Sequence, residues 1–345
     1  MPLFTVWLLG CVDTSGFCLT GGLRQVLPPL YLALCVVGLL LNAVASWVFC
    51  RVPSDAALVV YLKNMLVADF LMLSCFPFRL MARLGVGGWR LHVLMCRLVA
   101  VLFYSSMYTG VMFMGLISLE RYAKIVRHSQ PNTLGCVSLV HLLQSPGSAS
   151  AVAVGAWGLM LLSALPNVLL TSREANEANS RRCMELKTAL GVRWHQASTL
   201  FSVGVFWLTL VVMATCYSSI AVHVFRSYRR VRSSSAACRK SSRSILSLLL
   251  VFALCFVPYH LCRVPYTLSQ MPWSGFSQQA RFVLFQLKEA TLVLAAANVC
   301  LDPLVYFLMC RSFRDALLQT LLSICSSSSR ERRRSVSTAP SLDQD

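Results

Sequence analysis

Charged residues are scarce in this sequence. Only 13% of its 345 residues are Asp, Glu, Lys or Arg, whereas soluble domains contain about 25%. Hydrophobic residues make up 57% of the chain, and the mean hydropathy is +0.65. This composition is that of a membrane protein and argues against one or two soluble domains.

Several chemical signatures are also missing. The 15 cysteines show no zinc spacing, and no N-x-[ST] glycosylation signal occurs. Ser, His and Asp are not arranged as a nucleophile with its base, and His195 and His260 have no neighbours of metal-binding type. No internal repeat of the kind found in transporters is visible, so a transporter is the weaker alternative. We predict no enzyme activity, no cofactor and no resident metal.

Long apolar runs are abundant. A membrane-spanning helix needs about 20 mostly apolar residues. The runs of this length cover approximately residues 27–50, 58–82, 93–126, 151–171, 196–225, 242–269 and 281–309. Residues 311–325 place Leu and Phe on one helical face and Arg on the other, which is typical of a helix on the membrane surface. We predict an all-α membrane protein, a seven-transmembrane helix bundle with a short amphipathic surface helix at the C-terminus.

Acidic residues are fewer than basic ones, 13 against 31. Residues 225–243 are strongly basic with no acid, and the C-terminal tail is also Arg-rich. Basic loops stay in the cytoplasm, so the seven spans place the N-terminus outside and the C-terminus inside. Because these basic runs flank spans, they do not indicate nucleic-acid binding. The predicted divisions are 1–26 (extracellular tail), 27–310 (seven-span bundle), 311–325 (surface helix) and 326–345 (disordered Ser/Arg-rich cytoplasmic tail).

The N-terminal residues 1–10 are apolar but lack a basic start, which favours a tail over a signal peptide. Cys96 begins the third span, and Cys183 lies in the loop after the fourth span. Both face the oxidising side in this topology, so we expect a disulfide between them. Cys11 and Cys18 either pair with each other or stay free. Cys325 ends the surface helix and is a candidate palmitoylation site.

Polar residues interrupt several apolar runs. Such residues cost about 2.5–3.5 kcal/mol inside a span and often mark function. Asn42, Asp69, Asn298 and Asp302 are predicted to form one cluster, either as interhelical hydrogen bonds or as a site for water, a shared proton or a sodium ion. Pro303 follows Asp302 directly, so the helix can bend there.

The tripeptide Glu120–Arg121–Tyr122 lies at the inner end of the third span. Glu120 and Arg121 can form an ion pair that opens and frees Arg121 for a partner.

These motifs together resemble the rhodopsin-like (class A) G-protein-coupled receptors. The motifs are GLLLNAV around Asn42, LVADF around Asp69, Cys96, ERY at 120–122, Trp157, CFVP at 255–258 and DPLVY at 302–306. Departures include Phe256 in place of the usual Trp and Gly110 in place of a sodium-site Ser, which argues against sodium near Asp69.

A narrower resemblance is to purinergic, P2Y-like receptors of the ADP and UDP-sugar branch, which includes orphan relatives. It covers about residues 30–320 except 128–150, which is an insertion or a wrong exon boundary. The segments that carry it are VVYLKNMLVADFLM, VLFYSSMYTG, CMELKTALGVRWH, FVPYHLCRVPYTLSQ and LKEATLVLAAANVCLDPLVYFLMCRSFR. Residues 269–282 lack the cysteine that nucleotide-binding members usually carry in this loop, so an orphan-like receptor stays open.

Basic and tyrosine side chains recur near the outer ends of the spans. Arg263, Tyr266 and Gln270 follow i, i+3, i+7 spacing and share one helical face. Either they and their neighbours converge on an anionic ligand, or they reach lipid headgroups. The resemblance implies nucleotide contacts at Arg263, Tyr266, Gln270, Lys288, Glu289, Tyr104, Tyr108, His195 and Lys187. The alternative ligand is an anionic lipid such as a lysophospholipid or eicosanoid.

The resemblance also implies a plasma-membrane receptor that activates an inhibitory-type heterotrimeric G protein. Receptor kinases and arrestin are expected to bind the C-terminal tail, and membrane lipids to contact the basic segments. The residues assigned to coupling and activation are Glu120, Arg121, Tyr122, Tyr217, Pro258, Asp302, Pro303 and Tyr306.

Overall fold

The computed structural model describes residues 17–127, 144–180, 183–230, 235–270 and 274–323. The regular structure in these ranges is helical. The helices are α1 (Phe17–Phe49), α2 (Ala57–Arg83), α3 (Gly88–Leu94, a π-helical turn at Met95–Val99, and Ala100–Arg127), α4 (Pro146–Leu169), α5 (Ala189–Arg230), α6 (Ser235–Ser269), α7 (Gln278–Ala296 and Asn298–Met309) and α8 (311–323).

Seven of the helices, α1 to α7, are long and apolar enough to cross a membrane. The predicted seven-helix bundle with a short C-terminal helix is therefore confirmed. Helix α8 is attached to the bundle by Phe313, whose ring centroid lies 4.8 Å from Phe49 and 6.1 Å from Tyr306. Leu318 and Leu322 on α8 are exposed, as expected for a helix that rests on a membrane surface.

The spanning helices begin before their predicted apolar runs, and for α4 and α5 single hydrogen bonds explain the start. Helix α4 begins at Pro146 because the Ser145 hydroxyl accepts a hydrogen bond from the Ser148 N–H at 3.1 Å and Pro146 fits the first helical turn. Helix α5 begins at Ala189, where the Thr188 hydroxyl accepts from the Gly191 N–H at 3.1 Å. Capping hydrogen bonds, which hydropathy does not detect, determine where α4 and α5 begin.

Helix α3 is the centre of the bundle and packs against α2, α4, α5 and α6. Its buried residues Val111, Phe113, Met114 and Ile117 have no exposed surface. By contrast, Leu162 on α4 is 72% exposed, and such apolar exposure is expected of a helix face that meets lipid.

A disulfide joins Cys96 in the π-helical turn to Cys183 in the loop after α4. The prediction of this bridge is confirmed. The same loop is held by a hydrogen bond from the Arg97 guanidinium to the Arg173 carbonyl at 2.7 Å and by one from the Thr188 N–H to the Leu170 carbonyl at 2.9 Å. We call this end of the bundle the disulfide end.

Some predictions fall on parts of the chain outside the described residues. These are Cys11, the Cys18 side chain, residues 128–143 of the proposed insertion, and the tail from 324 onward with Cys325. Their roles stay predictions, as do the domain boundaries.

Candidate ligand-binding site

A cavity of about 620 Å3 opens at the disulfide end of the bundle. Residues from α2 to α7 and from the loop that carries Cys183 line it. Every ligand contact predicted from the sequence lines this cavity: Tyr104, Tyr108, Lys187, His195, Arg263, Tyr266, Gln270, Lys288 and Glu289. These side chains therefore converge on one cavity, as the first of the two predicted arrangements requires.

Arg263 lies among phenol rings. Its guanidinium carbon is 5.4 Å from the centroid of the Tyr104 ring, and the phenols of Tyr108, Tyr259 and Tyr266 are also close to it. Arg263 forms no ion pair with any described residue. An arginine is always charged, and a charge in a low-dielectric site is stabilised by a partner of opposite sign. The geometry therefore favours an anion next to Arg263.

Lys288 and Glu289 lie side by side on α7. The Glu289 carboxylate accepts hydrogen bonds from Lys288 and from Arg83 on α2. The Lys288 ammonium also lies 5.0 Å from the centroid of the Tyr266 ring and 4.8 Å from that of Phe285. The negative charge of Glu289 is thus already balanced, and this carboxylate holds Lys288 at the cavity wall.

Sequence reasoning missed Arg79, Arg83 and Tyr259. Arg79 lines the cavity, is 8% exposed, and has its guanidinium carbon 4.3 Å from the Phe103 ring centroid. Arg79 and Arg83 have the i, i+4 spacing of one helical face at the end of the second span, and this spacing was the available signal. Tyr259 directly precedes His260, and its position in the sequence does not distinguish it from an ordinary core tyrosine.

Positive charge predominates in the cavity wall. Among the described residues, the basic side chains that line it are Arg79, Lys187, Arg263 and Lys288, and the acidic one is Glu289. Because Glu289 is already paired, the wall offers several cations to one ligand. Paired guanidinium donors and a lysine ammonium are suited to phosphate oxygens.

Lys187 belongs to the loop that follows Cys183. It is 4% exposed, and its ammonium donates to the Thr171 hydroxyl at 2.9 Å. Burial lowers the pKa of Lys187 below the ordinary value of a lysine, since it penalises the charged form. The charge of this side chain is therefore lost at a lower pH than for a lysine in water.

This burial predicts a pH dependence of binding. As the pH rises through the lowered pKa of Lys187, its ammonium becomes a neutral amine, so the affinity for an anionic ligand should fall. In Lys187→Arg the cation persists, and the fall should begin at a higher pH. Equilibrium binding of the ligand between about pH 7 and 10 measures the difference. Superimposable pH profiles for the two proteins would contradict a role for the Lys187 charge.

The remaining predicted ligand contacts, His195 and Gln270, lie around the opening of the cavity. His195 on α5 lines the cavity and is half-buried, whereas Arg193, two residues earlier, is exposed and does not line it. Gln270 is exposed, and its amide donates to the Ser269 hydroxyl at 3.3 Å.

The predicted polar cluster lies deeper, between α1, α2 and α7. The Asn42 amide donates to the Val299 carbonyl at 2.7 Å, and the Tyr306 hydroxyl donates to the Asp69 carboxylate at 2.7 Å. Asn298 donates to the Asp302 carboxylate at 2.9 Å. These bonds connect the three helices where Ala297 divides α7 into two segments, with Pro303 inside the second.

Glu120, Arg121, Tyr122 and Tyr217 of the predicted activation set lie toward the end opposite the disulfide, whereas Asp302 and Tyr306 belong to the deeper polar cluster. The Arg121 guanidinium is 3.7 Å from the Glu120 carboxylate and donates to the Met309 carbonyl on α7. Tyr122 and Tyr217 are half-buried against the core. Pro258 lies within α6. Arg121 therefore touches the end of α7 as well as its own acidic neighbour.

The Glu289 ion pairs lead to a stability prediction. In Glu289→Gln, Arg83 and Lys288 lose their anion, so the melting temperature should fall, corresponding to a loss of about 1–3 kcal/mol. A bound anionic ligand should restore more stability in this variant than in the wild type. The control is Asp315→Asn, which removes an exposed carboxylate 3.5 Å from Arg311 and should change stability by less than about 0.5 kcal/mol. Thermal unfolding of the purified protein measures both, and an equal loss in the two variants would contradict the argument.

Known proteins that are similar to this chain in sequence are receptors. Residues 41–306 match the family of 7 transmembrane receptors (rhodopsin family). The chain is 43% identical over 299 residues to the P2Y purinoceptor 14 of Bos taurus, covering 86% of each chain. It is 37% identical to the G-protein coupled receptor 87 of Mus musculus, covering 85% of this chain and 79% of that protein. It is 35% identical to the P2Y purinoceptor 13 of Homo sapiens, covering 85% of this chain and 80% of that protein. The resemblance inferred from the motifs is thereby confirmed: the chain is a receptor and not an enzyme, and it belongs to the rhodopsin family of seven-transmembrane G-protein-coupled receptors, in the P2Y purinoceptor branch.

Proposed function

We propose that this multi-pass receptor binds an extracellular nucleotide or nucleotide sugar and signals through an inhibitory-type heterotrimeric G protein. In this proposal the disulfide end faces the outside of the cell and the C-terminus faces the cytoplasm. The observation that carries the proposal is Arg263, a cavity-lining guanidinium surrounded by phenols and without an ion-pair partner among the described residues.

Phosphate and base would occupy different parts of the cavity. Arg263 and Lys288 provide charge-assisted hydrogen bonds for the phosphates. Tyr104 and Tyr108 provide aromatic surface for a base. Arg79 gives a third cation for a ligand with more than one anionic group. The names of two relatives, purinoceptors 14 and 13, agree with this ligand class.

An anionic lipid is the rival ligand. It would need the same cations but a long apolar chamber for its chain. Much of the cavity surface is apolar, but its wall also carries uncharged polar side chains: Ser105, Ser163, Asn167, Gln196, Ser198, Thr199, Ser202 and Thr267. These groups favour a ligand with many hydrogen-bonding atoms, such as a sugar or a nucleoside.

Activation would be a population shift. The agonist must bind more tightly to the state in which α6 and α7 close around it. Movement about Pro258 in α6 and Pro303 in α7 would then release Arg121 from the Met309 carbonyl and Tyr306 from Asp69. The freed side chains, with Tyr217, would meet the G protein. The basic segment 225–243 would contact anionic lipid, and the tail would recruit receptor kinases and arrestin.

The test is a G-protein activation screen in cells that express this chain. ADP, UDP, UDP-glucose and a lysophospholipid are applied to the wild type and to an empty-vector control. A response to a nucleotide and none to the lipid is expected, with block by inactivation of inhibitory G proteins. A response to the lipid alone would replace the proposed ligand class and leave the receptor assignment intact.

A further inference from the structure

His260 lies below the cavity and is not explained by the proposed function. It has no exposed surface and does not line the cavity, although its neighbour Tyr259 does. Its ring stacks on Phe206 of α5, with centroids 3.6 Å apart and an angle of 5° between the planes. Both of its ring nitrogens have polar partners, one on α6 and one on α3. This histidine therefore joins three helices at the cavity floor.

The partners of His260 determine where its hydrogen lies. Nδ1 is 2.9 Å from the carbonyl oxygen of Phe256. A carbonyl oxygen only accepts hydrogen bonds, so Nδ1 must carry a hydrogen. Nε2 is 3.0 Å from the hydroxyl oxygen of Tyr108. In a neutral ring Nε2 then has a lone pair only, and the Tyr108 hydroxyl must be the donor.

The surroundings favour the neutral ring. Among the described residues, His260 contacts the Phe256 carbonyl, the hydroxyl and ring of Tyr108, and the rings of Phe206 and Tyr259. None of these groups carries a negative charge. Arg263 is three residues further along the same helix, so a charged imidazole would place a second cation in a buried site.

We propose that His260 is a positioning residue that orients the Tyr108 hydroxyl and so selects the ligand group that can reach the cavity floor. The Tyr108 hydroxyl donates its hydrogen to His260. On the cavity side, the Tyr108 oxygen can therefore only accept a hydrogen bond. A ligand group that meets it must bring an N–H or O–H donor. The edges of nucleobases carry such donors, whereas an ionised phosphate carries only acceptors. This inference rests on the proposed function and adds that the ligand enters with its base end first.

The Tyr259 hydroxyl strengthens the argument. Tyr259 lines the cavity and is fully buried, with the phenol of Tyr104 next to its own. The floor thus combines an acceptor from Tyr108 with the hydroxyl of Tyr259, which can either donate or accept a hydrogen bond. A base edge with a donor beside an acceptor matches this pair.

The experiment compares ligands with and without the donor. UDP-glucose is paired with its N3-methyl analogue, and ADP with its N6,N6-dimethyl analogue. In the wild type, methylation of the preferred nucleotide should raise the half-maximal concentration by at least about tenfold, because a buried polar group loses its partner. In His260→Phe and in Tyr108→Phe the ratio should fall to within about threefold, because the acceptor is no longer fixed. The control Phe206→Leu removes the stacked ring but keeps both hydrogen bonds, and should keep the wild-type ratio.

The outcomes separate the inference from the proposed function. If the methylation ratio stays at its wild-type value in His260→Phe, the methyl group acts by bulk and the inference is overturned. If no nucleotide activates the wild type, the proposed function fails. The hydrogen-bonding state of His260 is then tested without a ligand, by spectroscopy. Nitrogen-15 spectra of the histidine-labelled receptor, with His260→Phe used for assignment among the 6 histidines, should show a neutral His260 with its hydrogen on Nδ1. A hydrogen on Nε2 alone, or a charged ring, would overturn the inference.

Discussion

Replacement of Arg263 by alanine is expected to lower the potency of a nucleotide agonist by at least about 30-fold while leaving surface expression unchanged. The loss of a buried charge partner for an anion typically costs about 2–5 kcal/mol, and each 1.4 kcal/mol is a factor of about ten. Arg263 qualifies because it lines the cavity and has no ion-pair partner among the described residues. Its removal leaves the other ion pairs of the cavity intact, so folding should not suffer.

Two further variants make this test specific. Arg263→Lys keeps the charge but loses the paired donors, so it should give an intermediate potency. Arg193→Ala removes an arginine near the same end of the bundle that is exposed and outside the cavity wall, and it should behave as the wild type. Concentration–response curves with surface labelling measure all three. An unchanged curve for Arg263→Ala would remove this residue from the binding site.

Loss of the Cys96–Cys183 disulfide should cause the largest loss of stability. Removal of a native disulfide typically costs about 2–5 kcal/mol, and this bridge closes a separation of 87 residues. The double variant Cys96→Ser with Cys183→Ser should therefore melt at a lower temperature and reach the cell surface poorly. Ligand potency should also fall, because Lys187 lies four residues after Cys183 and depends on the same loop.

The matched control is Cys50→Ser, which changes an exposed free cysteine and should have little effect on the melting temperature. Thermal unfolding with and without a reducing agent provides a second measurement. If the reducing agent leaves the wild-type melting temperature unchanged, the bridge does not stabilise the fold.

The parts of the structure that the sequence predicts are those governed by the membrane. Lipid cannot satisfy backbone hydrogen bonds, so long apolar runs must be helices. The seven spans and the cluster around Asp69 follow from that constraint. The starts of α4 and α5 depend instead on the Ser145 and Thr188 caps, which are single hydrogen bonds within polar segments. Hydropathy does not register such bonds.

The candidate site was predictable where spacing on one helix decided the answer, as for Arg263 and Tyr266. It was not predictable where two helices must be placed side by side. The pairing of Arg83 with Glu289 joins α2 to α7, and the bond between Tyr108 and His260 joins α3 to α6. These contacts depend on the rotation of each helix about its axis, which a single sequence leaves undetermined.

The π-helical turn at Met95–Val99 contains Cys96 of the disulfide and precedes the tyrosines of α3. A π-turn accommodates one residue more than an α-helical turn, and one residue corresponds to about 100° of rotation. Deletion of a single residue inside this turn would let α3 close into a regular helix with little rotation between Cys96 and Tyr104, because the turn absorbs the extra residue. The same deletion lower in α3 would rotate the whole aromatic wall instead. Chains of equal length that differ in this turn would therefore align residue by residue and still present different faces to their ligands.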